Sequence, residues 1–178
     1  MRWHGEGNDM KQMNMTPARR LAWLGMLAAL TAALSLLESW LPPLPVPLAR
    51  LGLSNLTVTV AAVSCGPFGA VAIGVFKVML ALWMRGPTAA LMAACGTALS
   101  VVTTVGMIPL VRREKLSFVG VSVAAAGAHT LGQLACASWW LSASVWSYGP
   151  LLMGVAIVNG MIVGLILNAV AGRLPACR

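Results

Sequence analysis

Charged residues are scarce in this chain. Asp, Glu, Lys and Arg make up 9% of its 178 residues, whereas a soluble domain carries about 25%. The charges gather at a few points, so that residues 21–37, 51–76, 86–111 and 116–172 contain no charged side chain. This distribution excludes an ordinary soluble globular domain.

Several chemical motifs are also missing. The sequence has no Walker motif, no glycine-rich dinucleotide turn and no Asp-rich prenyl-diphosphate motif, so energy and phosphate chemistry would have to come from a partner. No cofactor or metal is expected. Cys65, Cys95, Cys136 and Cys177 are scattered singly, without paired spacing for zinc or a disulfide framework, and are expected to pack as small apolar residues. The basic residues form no stripe with interleaved aromatics, so a nucleic-acid partner is not indicated.

The long neutral tracts predict membrane-spanning helices. A helix needs about 20 mostly apolar residues to cross the hydrocarbon core, and the tract 116–172 is long enough for two crossings. The tracts lack the alternation of a β-barrel. We therefore predict an all-α integral membrane protein, with one transmembrane domain over residues 19–172 between short cytoplasmic tails at 1–18 and 173–178. Its six predicted helices lie near 19–39, 51–65, 67–84, 88–111, 118–141 and 149–172.

The basic residues predict the orientation of this domain. With the N-terminus inside, the outer segments contain only Arg50 and Arg85, and the bias follows the positive-inside rule. Tryptophans at the predicted outer ends are typical of an interfacial aromatic belt. Both termini are thus expected in the cytoplasm. The protein is expected in the inner (plasma) membrane of the cell, in contact with anionic lipids. The cytoplasmic basic residues are Arg2, Lys11, Arg19, Arg20, Arg112, Arg113, Lys115, Arg173 and Arg178, and the outer tryptophans are Trp40, Trp83, Trp139, Trp140 and Trp146.

Five polar residues inside the predicted spans are candidates for substrate binding. A charge within the bilayer costs several kcal/mol (on the order of 3) unless it is paired, hydrated or able to reach the interface. On the predicted topology the five converge in the outer half of the bundle, and His129 and Gln133 share one helix face. The candidates are Glu38, Asn55, Lys77, His129 and Gln133.

Each candidate also has a structural interpretation. Glu38 at the end of a helix can be interfacial and solvated, and Lys77 can extend outward to the interface. Asn55 can cap its helix or form a hydrogen bond across helices. His129 can be a satisfied residue of the bundle. The sequence alone leaves these alternatives open.

Small residues form two stripes that favour close helix packing. Gly25, Ala29 and Ala33 recur at every fourth position of the first predicted helix, and such a stripe lets another helix approach, either within the bundle or from a partner. Gly160 and Gly164 form a similar stripe in the last helix, where Asn159 and Asn168 can add hydrogen bonds. The segment 42–47 contains four prolines and predicts a stiff outer loop, either a lid or a rigid connector.

The order of these residues resembles the Gx transporter family, also labelled heptaprenyl diphosphate synthase component I. The resemblance covers about residues 20–170 and rests mainly on Leu-Gly-Leu-Ser-Asn ending at Asn55 and Gly-Ala-His-Thr-Leu-Gly-Gln ending at Gln133. Lys77 stands where the family usually has arginine, and Thr130 where it usually has asparagine. The first difference keeps the charge but loses bidentate recognition.

The resemblance implies a six-helix fold similar to the S components of energy-coupling factor vitamin transporters. In such proteins the substrate lies beneath the loop between helices 1 and 2, here residues 42–47, and small residues of helix 1, here Gly25, Ala29 and Ala33, face a coupling membrane subunit that works with ATPases. The expected function is therefore binding of a small molecule, vitamin-like or isoprenoid-related, for uptake. The alternative is a non-catalytic membrane component of heptaprenyl diphosphate synthesis, with a prenyl synthase as partner. With four acidic residues, the chain is not expected to hold magnesium and diphosphate by itself.

Overall fold

The computed structural model describes residues 16–40, 52–113, 115–141 and 145–170, and in these segments the chain is helical. Each of the five long helices is apolar enough to cross a membrane, which confirms the predicted class of all-α membrane protein. The helices are α1 (Pro17–Trp40), α2 (Asn55–Arg85), α3 (Pro87–Arg112), α4 (Phe118–Leu141) and α5 (Gly149–Val170), with a 3₁₀ turn at Val145–Tyr148 before α5.

The structure has five long helices where six were predicted, and the difference lies in α2, which joins the second and the third predicted helix across a kink. The interruption between them is one residue long. Gly66 has φ 69° and ψ −159°, and Pro67 follows it within α2. Glycine adopts a positive φ at little steric cost, and proline supplies no amide hydrogen for a continuous helix.

The chain reverses direction at Gly66. A Cβ atom built on Gly69 would lie 2.8 Å from the carbonyl oxygen of Ala61, although residues eight positions apart in a straight helix are about 12 Å apart. We call residues 55–65 the first arm of α2 and residues 67–85 the second arm. The first arm is about 16 Å long, roughly half of the hydrocarbon thickness, so it does not cross the membrane by itself.

The bundle is built from helices that are neighbours along the chain. Helix α1 packs against α2, where Trp23 Nε1 donates a hydrogen bond to Ser64 Oγ over 3.1 Å and Thr31 Oγ1 donates one to Thr57 Oγ1 over 2.8 Å. Helix α3 packs on α2, α4 on α3, and α5 on α4. Gly160 lets α5 approach α4 closely, since a Cβ there would lie 2.6 Å from Val123 Cα.

The two ends of the bundle differ as the sequence predicts. Trp40, Trp83, Trp139, Trp140 and Trp146 are between 52% and 87% exposed and lie where α1, α2 and α4 end and where α5 begins. The other end carries basic residues at the start of α1 and the end of α3, where the Arg20 guanidinium lies 5.1 Å from the centre of the Phe68 ring.

The structure agrees only in part with the prediction that the cysteines pack as small apolar residues. Cys95 and Cys136 are free, and Cys136 is buried. Cys65 is disulfide-bonded, so the expectation that every cysteine packs only as a small apolar residue was wrong for Cys65.

Candidate functional site

Lys77 and Asn55 meet inside the bundle. Each is 5% exposed, and Lys77 Nζ donates a hydrogen bond to Asn55 Oδ1 over 2.5 Å. Each lies 11 residues from Gly66 along the chain, so the reversal at Gly66 brings them to the same level. Lys77 therefore does not extend outward to the interface. Asn55 bonds across the two arms and not as a cap, because the residue at the N-cap position is Ser54.

Glu38 joins the end of α1 to the start of α2. Its carboxylate oxygen Oε1 accepts a hydrogen bond from the backbone nitrogen of Ser54 over 3.2 Å. Ser54 is 1% exposed and immediately precedes Asn55. Glu38 is half-buried, so an interfacial, solvated position stays open for it.

His129 and Gln133 of α4 lie together against Gly96 of α3. A Cβ on Gly96 would lie 2.8 Å from His129 Nδ1 and 2.8 Å from Gln133 Cγ. Any residue larger than glycine at position 96 would therefore collide with both side chains. His129 is 6% exposed, its Nδ1 atom has no hydrogen-bond partner, and the charge of Lys77 lies within electrostatic range of its ring. The His129 ring also contacts the backbone of Gly96 through a hydrogen bond, so its structural interpretation and its binding role both stay open.

Asn159 of α5 belongs to the same region, although the sequence indicated only a role in helix packing for it. It is 3% exposed. A Cβ on Gly52 would lie 3.3 Å from Asn159 Nδ2 and 3.5 Å from Asn55 Nδ2, so the two amides approach the same point. Asn159 Oδ1 has no hydrogen-bond partner. The signal in the sequence that could have identified Asn159 as a site residue is its amide side chain within a predicted membrane span.

These side chains form what we call the polar centre: Asn55, Lys77, His129, Gln133 and Asn159. Lys77, His129 and Asn159 lie near the midpoints of the second arm, α4 and α5. Asn55 lies at the start of α2, next to Ser54, which Glu38 near the end of α1 contacts. The polar centre offers ammonium and amide donors together with unpartnered polar atoms, a set suited to holding an anionic or strongly polar ligand.

Among the predicted substrate-binding residues, the structure thus joins Lys77 to Asn55 with Glu38 next to them, and places His129 beside Gln133. Their role in binding stays a prediction. In the described part of the chain, no group of three or more His, Cys, Asp or Glu side chains is placed to hold a metal ion. The loop 42–47 lies outside the described residues.

The small-residue stripe on α1 faces away from the bundle. Gly25, Ala29 and Ala33 are exposed, and a Cβ on Gly25 would meet nothing within 4 Å. Of the two interpretations of this stripe, a contact with another helix of the bundle is therefore excluded for the described residues.

An apolar groove runs between the second arm of α2 and α3. Its volume is about 410 Å³, and Gly74 and Thr97 lie on opposite walls. Val75, Met79 and Val102, which also line it, are 54%, 54% and 68% exposed. The groove therefore opens sideways, on the surface of the bundle that faces lipid in a membrane.

These features define a multi-pass helical membrane protein with a buried polar centre and a lateral apolar groove. The chain belongs to the heptaprenyl diphosphate synthase component I family, whose family model matches residues 27–170. The resemblance noted in the sequence is thereby confirmed for this family label, which describes a component of a prenyl diphosphate synthase. No curated protein and no solved structure was found to match the chain.

Proposed function

We propose that this protein is a non-catalytic membrane subunit that binds a small molecule in its polar centre for uptake, in the manner of a transporter S component. The observation that carries the proposal is the buried convergence of Asn55, Lys77, His129 and Asn159 from α2, α4 and α5. Buried polar atoms are normally hydrogen-bonded. His129 Nδ1 and Asn159 Oδ1 lack partners in this structure, and a bound ligand that carries a donor group would supply one to Asn159 Oδ1, which only accepts hydrogen bonds.

The charges near the site favour an anionic or strongly polar ligand. The Lys77 ammonium group and the amides of Asn55 and Asn159 are hydrogen-bond donors. Glu38 is directed toward the backbone of Ser54 and lies at the edge of the site. Charge-assisted hydrogen bonds to an anion would compensate the cost of burying these donors.

A second protein would supply the energy for uptake. The sequence has no nucleotide-binding motif, and accumulation against a gradient requires a coupled energy source. The exposed stripe of Gly25, Ala29 and Ala33 is the surface we assign to a coupling membrane subunit that works with ATPases, because small side chains let helix backbones approach closely.

Ligand binding to the polar centre can be tested with the purified protein in lipid nanodiscs. Mass spectrometry of small molecules released on denaturation identifies a copurified ligand, and its addition should raise the unfolding temperature. Asn159→Leu is expected to abolish this stabilisation, whereas Asn168→Leu, on the exposed side of the same helix, is expected to preserve it. Equal stabilisation of both variants would contradict the proposal.

The second candidate function is that of a non-catalytic membrane component of heptaprenyl diphosphate synthesis. Two observations favour it. The groove is open to lipid and suits a hydrocarbon tail, and the protein belongs to the heptaprenyl diphosphate synthase component I family. Catalysis of prenyl transfer would need carboxylates that hold magnesium against diphosphate. Glu38 is the one acidic residue within the described helices, so a partner synthase would contribute that chemistry.

This second function makes a separate prediction about partners. Affinity purification of the tagged protein from its native membrane is expected to recover a soluble prenyl synthase. Recovery of membrane subunits with associated ATPases and no synthase would exclude this candidate in favour of the first.

A further inference from the structure

Two side-chain amides flank one point beside Gly52. This residue precedes α2, and its carbonyl oxygen accepts a hydrogen bond from the backbone nitrogen of Asn55 over 2.9 Å. A Cβ on Gly52 would lie 3.3 Å from Asn159 Nδ2 and 3.5 Å from Asn55 Nδ2. Glycine places no side-chain atom there. We call this space between the amides of Asn55 and Asn159 the amide notch.

Lys77 determines which end of the Asn55 amide faces the notch. A lysine ammonium group donates hydrogen bonds and accepts none. Lys77 Nζ donates to Asn55 Oδ1, so the oxygen of this amide points to Lys77 and its NH₂ group is the end directed toward Gly52. Asn55 therefore offers the notch a hydrogen-bond donor, and Lys77 is the positioning residue for that donor.

Asn159 brings an acceptor to the notch as well as a donor. Its side chain is 3% exposed, and its Oδ1 atom has no hydrogen-bond partner, although buried polar atoms are normally bonded. A primary amide carries two N–H donors and one acceptor oxygen. A group that completes the notch must therefore accept from the two NH₂ groups and also donate to Asn159 Oδ1.

This requirement separates the common polar groups of small molecules. A carboxylate only accepts hydrogen bonds and leaves Asn159 Oδ1 without a partner, whereas an ammonium or amidinium group only donates and meets the two NH₂ groups donor to donor. A carboxamide, a lactam or a ureide carries a C=O beside an N–H. Groups of this kind satisfy both requirements without a net charge.

We propose that the amide notch binds the carboxamide, lactam or ureide group of the ligand. The C=O of that group accepts from Asn55 and Asn159, and its N–H donates to Asn159 Oδ1. This inference rests on the proposed binding function and specifies the chemical group that the polar centre recognises.

Four probes that share one aromatic ring test this site. Benzamide carries donor and acceptor, methyl benzoate carries acceptors without charge, benzoate carries acceptors with negative charge, and benzamidine carries donors only. Each probe is titrated into protein in nanodiscs, with empty nanodiscs as the reference for partition into lipid. Benzamide is expected to bind about tenfold or more tightly than each of the others, because each of those leaves a buried polar group unpartnered.

Substitutions of Asn159 test the source of this preference. Asn159→Leu is expected to reduce the preference for benzamide over methyl benzoate by about tenfold. Asn159→Asp replaces the amide donor with a second acceptor and is expected to shift the preference from benzamide to benzamidine. Asn168→Asp, on the exposed side of the same helix, is the matched control and is expected to keep the preference for benzamide. A purely structural defect would weaken all four probes together and would not change their order.

The outcomes separate this inference from the proposed function. Equal affinity for the four probes, tighter binding of benzoate, failure of all four to bind, or a benzamide preference that survives Asn159→Leu would each overturn the carboxamide site. A copurified ligand without a carboxamide, lactam or ureide group would also overturn it, but stabilisation by that ligand that depends on Asn159 would still support the proposed function. Stabilisation that is unchanged by Asn159→Leu would overturn both.

Discussion

Lys77 donates a hydrogen bond to Asn55 although the two residues are 22 positions apart in one helical element. In a straight helix their backbones would be separated by about 33 Å. The contact exists because the chain folds back at Gly66, and it joins the two arms of α2 inside the bundle. A reversal enforced by backbone geometry thus creates the polar pair around which the candidate site is built.

Asn55 is expected to contribute to stability through this pair. Asn55→Leu leaves the buried Lys77 ammonium group without its amide acceptor, and we expect a loss of about 1.5–3 kcal/mol. Asn55→Asp restores an acceptor of similar shape and is expected to recover most of the stability. Thermal unfolding in detergent measures both variants, and an equal loss in the two would show that the acceptor does not matter.

Gly66 is expected to be sensitive to any side chain. Its φ of 69° and ψ of −159° lie in a region that essentially only glycine adopts, where a side chain costs about 1–3 kcal/mol, so Gly66→Ala should lower the unfolding temperature. A Cβ added to Gly154 of α5 would meet nothing within 4 Å, and Gly154→Ala is the matched control. If the two variants unfold at the same temperature, the reversal does not require glycine.

Gly96 is expected to shape the polar centre. Gly96→Ala places a methyl group 2.8 Å from atoms of His129 and Gln133, and the resulting shift should cost about 1–3 kcal/mol and weaken ligand binding. In the same helix, Gly106→Ala meets nothing within 4 Å and should stabilise by about 0.5–1 kcal/mol. Unfolding temperature and ligand affinity are measured for both, and unchanged affinity in Gly96→Ala would contradict this arrangement.

The orientation of the chain can be tested by labelling single cysteines on a Cys-free background. A cysteine at position 147 is expected to react with an impermeant reagent from outside, because Ser147 is exposed and follows the end of α4 that carries Trp139 and Trp140. A cysteine at position 114 is expected to be protected. External labelling at 114 but not at 147 would reverse the topology that the positive-inside rule predicts.

Transport is expected to depend on a partner that meets the stripe on α1. Ala29→Leu adds bulk to an exposed surface where helix backbones would meet, and it should abolish uptake in cells while ligand affinity and folding remain nearly intact. Ala169→Leu, at an exposed position of α5, is the control. In liposomes the protein alone should bind but not accumulate ligand. Accumulation driven by a proton or sodium gradient would instead identify a secondary transporter.

The sequence by itself determined the class of this protein and most of its helices. Long apolar tracts bounded by charges are local properties of the chain, and the cost of placing charge in hydrocarbon fixes where spans begin and end. Helix α4 therefore lies at residues 118–141, as predicted. The same cost selected Glu38, Asn55, Lys77, His129 and Gln133 as candidates.

Only the tertiary structure decided how these residues meet. Hydropathy does not show that the two arms on either side of Gly66 bring Lys77 to Asn55, nor that Asn159 turns toward Gly52. Those facts depend on the rotation of each helix about its axis and on how closely the backbones approach, which are set by contacts at Gly96 and Gly160 between residues far apart in the chain. The groove beside Thr97 has the same origin, because it exists only where the second arm and α3 lie side by side.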